Sequence, residues 1–359
     1  MMPCVLRLCG SPEAMGRQHG HLLKGEIHQR LESAWKWWRR CTAGESARQR
    51  LTWLRWVHAL VAEFQRWGGA AWEEWQALAQ AAQVSPEELM LLTAWHDWPE
   101  VWLSRQSVAA TAGGCTAALL RTPAVELGIW LAMNWDVPAE LAQQVHVFYR
   151  EPDDGPRALV VSAAGGFPMA GVNEVGVGFI WVDRACREAQ PRIPTGAIFT
   201  EIIHLSHFDA AVRALRETPR ASGLAAALAD CGAHATVLEL AAERCAEHPV
   251  THHHPLRVFA NHYQSALLQS LDAWPKRAAS EGRETRLLEL LENCRGLTSP
   301  EQLQSLFADH AASAGESLCQ HHGSEQQTAA FVAVLCAQRE LAYTVGPPCQ
   351  QSLARQSLL

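Results

Sequence analysis

Long basic runs are missing from this 359-residue chain: none exceeds the pair Arg39-Arg40, and the net charge is −7. Such a balance offers little for a polyanion to grip, so no nucleic-acid partner is expected. No apolar run approaches the roughly 18 residues that a membrane helix requires, so no membrane partner is expected either. The opening MMPCVLRLCGSPEAMG has no basic segment leading into an apolar one, so no secretory signal is expected. No CxxC occurs among the eleven cysteines, which removes the zinc-ribbon and thioredoxin-like readings. Their odd number and irregular spacing suit buried thiols in a reducing compartment, and the expected location is cytoplasmic. HExxH and a spaced Cys/His quartet are also absent, and the histidine runs 252–254 and 321–322 would alternate faces on a strand. No metal and no cofactor are therefore expected, and no phosphate-cradling glycine loop argues otherwise.

What the chain does contain changes character near residue 112. Eleven of the fifteen tryptophans lie before that point, among apolar residues at helical spacing such as Leu51, Leu54, Val57, Val61 and Phe64. Ser85-Pro86-Glu87-Glu88 has the chemistry of a capped helix start. Residues 12–100 are read as about four amphipathic helices, with the tryptophans filling core. Beyond Cys115 come short runs of strand character: 130–136, 145–150, 158–165 and 175–183, bounded by Pro, Asp and Gly clusters. Helices are expected at 196–207, 209–218, 283–293 and 299–312, strands at 235–240 and 257–262, and a closing hairpin at 328–345. Strands and helices in blocks, without strict alternation, favour an α+β layered fold. The Ala-rich patch 221–229 gives no clear signal.

Three residues stand out for chemistry, each with a plainer alternative. Cys115 follows two glycines at a loop-to-strand junction, where the backbone can adopt strained angles and bend toward a thiol. Equally, it is a small buried residue. Asp136 ends the strand-like MNWD, on the same face as Asn134, or it simply enters the turn at Val137-Pro138. Asn261 carries an amide of the kind that can hold an oxyanion, or it caps a helix beginning near Gln264. Asn173 is read as a turn residue.

The segments GSPEAMGRQHG (10–20), GGCTAALL (113–120), MNWD (133–136), GFPMAGVNEVGVGF (166–179), VFANHY (258–263) and TVGPPC (344–349) occur in one order across nearly the whole chain. In this they resemble the acyl-coenzyme A:6-aminopenicillanate acyltransferase family, peptidase family C45, of the N-terminal-nucleophile (Ntn) hydrolases. The resemblance implies an αββα four-layer sandwich of two antiparallel sheets. Residues 1–114 would be a helical propeptide or α-subunit, and 115–359 the catalytic core. It implies self-cleavage between Gly114 and Cys115, with the Thr116 hydroxyl close by. Cys115 would then be nucleophile and, through its new α-amino group, base; Asp136 would orient that amine and Asn261 would hold the oxyanion. Asn134 and His321 are possible supports. Two departures stand against the family pattern. Gln320 and His321 occupy the segment (317–323) where members carry an arginine, and Ala117 stands where a hydroxyl is common. The expected activity is hydrolysis of a small N-acyl amine or peptide amide through an acyl-thioester on Cys115. The alternatives are acyl-coenzyme A-dependent transfer to an amine from a thioester substrate, and an uncleaved binding protein without chemistry. The cleaved N-terminal fragment would remain a partner.

Overall fold

The computed structural model describes residues 5–41, 46–97, 114–126, 128–232, 234–273, 277–294, 296–310, 317–321 and 326–359. Strand β1 (Val5–Gly10) leads into helix α1 (Pro12–Leu22). Ser11 caps that helix by accepting from the Ala14 N–H at 3.2 Å, and Pro12 follows where a backbone N–H would be idle. Next come α2 (Lys24–Cys41), α3 (Ala47–Trp67), α4 (Gly69–Ala82) and α5 (Pro86–Thr93). The capping box at Ser85 and Glu88 forms as its sequence predicts, in both directions. Trp35, Trp38 and Trp53 interlock with centroids 4.9–6.0 Å apart, so these rings are core filling as expected.

The motif GSPEAMGRQHG has a packing explanation. Gly16 and Gly20 lie one turn apart on α1, against α4. A Cβ on Gly16 would overlap the Glu74 carbonyl, and one on Gly20 would stand 2.6 Å from the Leu78 carbonyl oxygen. Between them, Gln18 exchanges two hydrogen bonds with the Cys9 backbone at 3.0 and 2.7 Å, fastening β1 to α1. His19 accepts from the Gly165 N–H at 3.0 Å. Gly16→Ala should therefore destabilise the protein by about 1–3 kcal/mol through overpacking, read as a lowered urea midpoint with unchanged m-value. An unchanged midpoint would show that the two helices can separate without penalty.

Two sheets form the centre. The larger runs in the order β1, β4 (Val145–Pro152), β5 (Ala158–Ala163), β6 (Ala170–Asn173), β7 (Gly178–Arg184), β8 (Gly223–Ala229), β9 (Ala235–Leu240), β10 (Cys245–Pro249). The smaller runs β11 (Leu256–Phe259), β2 (Thr116–Arg121), β3 (Ile129–Pro138), β12 (Gln326–Leu335), β13 (Glu340–Val345), β14 (Ala354–Ser357). Every pairing is antiparallel except β1 with β4, which is parallel. The purely antiparallel expectation is corrected at that edge: the N-terminal segment contributes a strand as well as helices.

Period-2 alternation in the smaller sheet sorts its side chains between two surroundings. Ala117, Leu119, Leu131, Met133, Val332 and Val334 share one core with the larger sheet, and Gly178 of β7 is needed where Val334 and Cys336 press across. Ala118, Leu120, Trp130, Ala132 and Phe331 face the outer helices α8 (Arg277–Glu292) and α9 (Pro300–Phe307), meeting Leu287, Leu303 and Phe307. On the far side of the larger sheet, Phe199 of α6 (Ala197–Ile202) stacks on Phe179 and Trp181 at 4.8 and 5.3 Å. Helix α7 (Phe208–Glu217) joins that layer against β8. The architecture is the αββα four-layer sandwich.

Candidate active site at the head of strand β2

Strand register explains why distant residues meet at Cys115. Thr116 pairs with Asn134 of β3, and Ala117 pairs with Phe259 of β11. Carrying both registers back toward the head of β2 sets Gly114 level with Asp136 and Cys115 level with Asn261. Cys115 is 1% exposed, and Thr116, Asp136 and Asn261 are fully buried. The Cys115 thiol donates to the Asp136 backbone carbonyl at 3.5 Å.

Gly114 lies beside the side chains of Gln326 and Asp136. Its φ lies outside the left-handed region, so the strained angles expected of the glycine pair are not adopted at this residue; Gly113 lies outside the described residues. A Cβ here would collide with the Gln326 amide oxygen and stand 3.5 Å from Asp136 Oδ2. Asp136 thus reaches the junction between Gly114 and Cys115. Its Oδ1 accepts from the Thr328 hydroxyl at 2.6 Å, and its buried Oδ2 has no hydrogen-bond partner among the described residues. Burial raises its pKa to about 7, against the pull of Thr328 and of Arg283. Burial, with Asp183 and Asp136 adding negative charge, also holds the Cys115 thiol well above its ordinary value.

Asn261 follows β11 in a loop clasped by Glu239, which accepts from the Gln264 and Ser265 N–H groups at 2.9 and 2.7 Å. Glu239 is itself fixed by fully buried Arg184, whose guanidinium also donates to the Ala260 carbonyl at 3.1 Å. No helix begins near Gln264; only a short 3-10 turn forms at Gln269–Leu271, so the capping alternative for Asn261 falls away. The Asn261 amide N–H group donates to the Asp183 carbonyl and carboxylate at 3.0 and 3.1 Å. Its oxygen accepts from Arg283 at 2.9 Å.

Arg283 and Asp183 were not singled out in the sequence. Arg283 projects from α8, 4% exposed, and also donates to the Thr116 hydroxyl at 3.2 Å. Burial lowers its pKa, opposed by Asp136, Cys115 and Asp183. Burial raises Asp183 to about 6. Arg283 is thus a buried cation beside Thr116 and Asn261, brought in from the outer helical layer. No local window could have pointed to Arg283, since it lies 167 residues from Thr116 and its helix has no clear apolar face in sequence against which a buried arginine would stand out.

The two supporting candidates lie elsewhere. Asn134 does share a face with Asp136, but its amide donates to the Phe307 and Leu318 carbonyls at 2.8 and 2.7 Å, tying down the outer helical layer. His321 turns away from Cys115 toward His310 and Cys349. Gln320 approaches the site only through its backbone, whose N–H donates to the Thr328 hydroxyl at 2.8 Å. Asn173 closes β6 and leads into the turn that follows, its amide donating to the Ile203 and Leu205 carbonyls and its side-chain oxygen accepting from the Val177 N–H. Residues His252-His253-His254 lie exposed in a turn.

A buried thiol heading a strand, between an acid and an amide, in an αββα sandwich is what fold and site define together. The chain is similar in fold to penicillin V acylase from Agrobacterium tumefaciens, at TM-score 0.45 and 10% identity, covering 68% of this chain and 86% of that one. A conjugated bile acid hydrolase from Clostridium perfringens aligns at TM-score 0.45 and 11% identity, over 68% of this chain and 97% of its own. No family model and no curated protein sequence matches the chain.

Proposed function

We propose that this protein is a self-processing N-terminal cysteine amidohydrolase acting on small N-acyl amines or peptides. The observation that carries the reading is the unpartnered Asp136 Oδ2, buried against the Gly114–Cys115 junction. A lone carboxylate oxygen in such a place costs free energy unless it accepts a proton or holds a cation. Both needs arise in this reaction.

In the intact chain, Asp136 takes the thiol proton while sulfur attacks the Gly114 carbonyl carbon. The Gly114–Cys115 C–N bond breaks as the C–S bond forms, giving a thioester and an α-amine that picks up the proton. Water then hydrolyses the thioester to the Gly114 carboxylate and the free thiol. The new ammonium faces Asp136 Oδ2, and its amine form, with a pKa near 8 before perturbation, serves as base for the next thiol attack. Turnover of an N-acyl substrate repeats the chemistry: acyl group to sulfur, amine released, water completing the cycle. Asn261 supplies an oxyanion donor by exchanging its contact with the Asp183 carboxylate for the developing charge, while Arg283 holds the amide oxygen and fixes which edge points inward. Arg283 also keeps two neighbouring carboxylates tolerable in one buried site.

The test is the intact mass of the purified protein. Cleavage yields two species of roughly 13 and 27 kDa by residue share of the 39.6 kDa chain, with the larger beginning Cys115-Thr116-Ala117. Iodoacetamide should then label Cys115 and stop hydrolysis of N-acyl test amides. A full-length species with an unreactive Cys115 would overturn the reading.

A further inference from the structure

Away from Cys115, His310, Cys319, His321 and Cys349 turn their ligand atoms toward one another, all within 4.8 Å. We propose that these four residues form a structural zinc site that pins the outer helical layer to the smaller sheet.

Distances favour a four-coordinate soft cation. Bonds of about 2.3 Å to sulfur and 2.0–2.1 Å to nitrogen make tetrahedral edges of about 3.3–3.8 Å. Three contacts approach that range: Cys319 Sγ to Cys349 Sγ at 3.5 Å, Cys349 Sγ to His321 Nε2 at 3.2 Å, and His321 Nε2 to His310 Nε2 at 3.3 Å. Closing the remaining pairs takes side-chain movements of about 1 Å, within rotamer adjustment. Two thiolates and two neutral imidazoles also balance a divalent charge, and binding would release two thiol protons to solvent. Soft sulfur with imidazole selects zinc over magnesium or calcium.

Support behind the ligands is already in place. Asp309, just before His310, is gripped by both arms of Arg286 at 3.0 and 2.8 Å, and its carbonyl accepts from the Cys319 N–H at 3.1 Å. Gln304 of α9 donates to the Pro348 and Gln351 carbonyls at 2.8 Å each, fixing the loop that carries Cys349. The second nitrogen of His321, Nδ1, faces the Gln350 side-chain amide at 3.4 Å, and turning that amide over lets its oxygen accept Nδ1–H and leaves Nε2 for the ion. Sequence spacing concealed the set, because the ligands run from 310 to 349 without a CxxC or HxxxH step.

The site adjoins the catalytic candidate. Gln320, between two of the ligands, hydrogen-bonds Thr328 through its backbone, and Thr328 holds Asp136. An effect of metal on processing rests on the proposed function; metal content does not, so failure of either is told apart.

The test uses full-length protein without a histidine tag, purified under reducing conditions, with zinc counted by inductively coupled plasma mass spectrometry. About one equivalent per chain is expected, falling at least tenfold in C349S and in H310A, which alter exposed positions. Circular dichroism checks that both variants fold. Should either fail, wild-type protein stripped by chelator and titrated with cobalt(II) gives the answer, through the intense visible bands of tetrahedral thiolate-bound cobalt. Less than about a tenth of an equivalent in wild type, retention by both variants, absence of those bands, or a Cys319–Cys349 disulfide under reducing conditions would each overturn the proposal.

Discussion

Cys115→Ala should leave a single full-length chain with no detectable amide hydrolysis. The substitution removes the nucleophile for both reactions at once, and none of the other eight free cysteines described lies where Asp136 and Asn261 could serve it. The fold should survive, since the side chain lost is small and buried at the head of a strand, so the unfolding free energy falls by about 1 kcal/mol. Cys115→Ser should keep slow cleavage, because an alcohol can make the same attack with a poorer nucleophile. Intact mass and activity on an N-acyl test amide read both variants. If Cys115→Ala protein were still cut at residue 114, or still hydrolysed substrate, the thiol mechanism would fail. A stable, uncut wild-type protein would favour a binding scaffold.

Asp136→Asn should separate the carboxylate's burden on stability from its use in cleavage. Asp136 titrates at about 7 in the folded chain and at 3.8 as an ordinary aspartate. A raised acid holds its proton better when folded, so its stabilising contribution is complete below pH 4 and fades as pH rises toward 7. Above that, burying the carboxylate costs on the order of 2–4 kcal/mol by linkage. In a Cys115→Ala background, where nothing is cleaved, adding Asp136→Asn should gain stability at pH 8 relative to pH 4.5 by that amount. The comparison must be a difference between variants. Buried His19 and His96, lowered to about 3, and His204, lowered to about 4, slope the opposite way between pH 3 and 6.5. Asp97 and Asp183, raised to about 7 and about 6, slope with Asp136. The three histidines and Asp97 are shared and drop out, whereas Asp183 shares the Arg283 charge with Asp136, so any change in its slope is part of the measured difference. With the thiol intact, processing should quicken as pH rises through about 7, where Asp136 becomes a base, and Asp136→Asn should lose at least ~100-fold in rate at pH 8. A pH-independent rate would remove Asp136 from proton transfer.

Local signals were legible where local chemistry makes them. The Ser85 capping box, the tryptophan-rich helices and the 328–345 hairpin are all where periodicity and capping put them. The Ala-rich patch hid a strand: every residue of β8 is buried between β7 and β9, and burial on both faces overrides the helix preference of alanine. Strand β1 escaped because six residues at an edge show little alternation, and its partner β4 begins 135 residues after its own end, Gly10 to Val145. The same distance problem governed the site. Cys115, Asp136 and Asn261 sit at strand ends, where motifs mark them, whereas Arg283 arrives from a helix and Asp183 from the other sheet. Their meeting is a property of layer stacking, which no short window contains.

That inserted edge strand gives the proposed cut an unusual thermodynamic character. With β1 hydrogen-bonded to β4, and α1 stitched to β1 through Gln18, severing the chain after Gly114 would convert an internal fold into a heterodimer interface. As a monomer, the uncut chain should melt at a temperature independent of its concentration. The cut protein melts by dissociation as well as unfolding, so its midpoint should climb with concentration while both pieces co-elute under native conditions. Maturation would thus trade a unimolecular equilibrium for a bimolecular one, and dilution becomes a variable to which only the mature form responds.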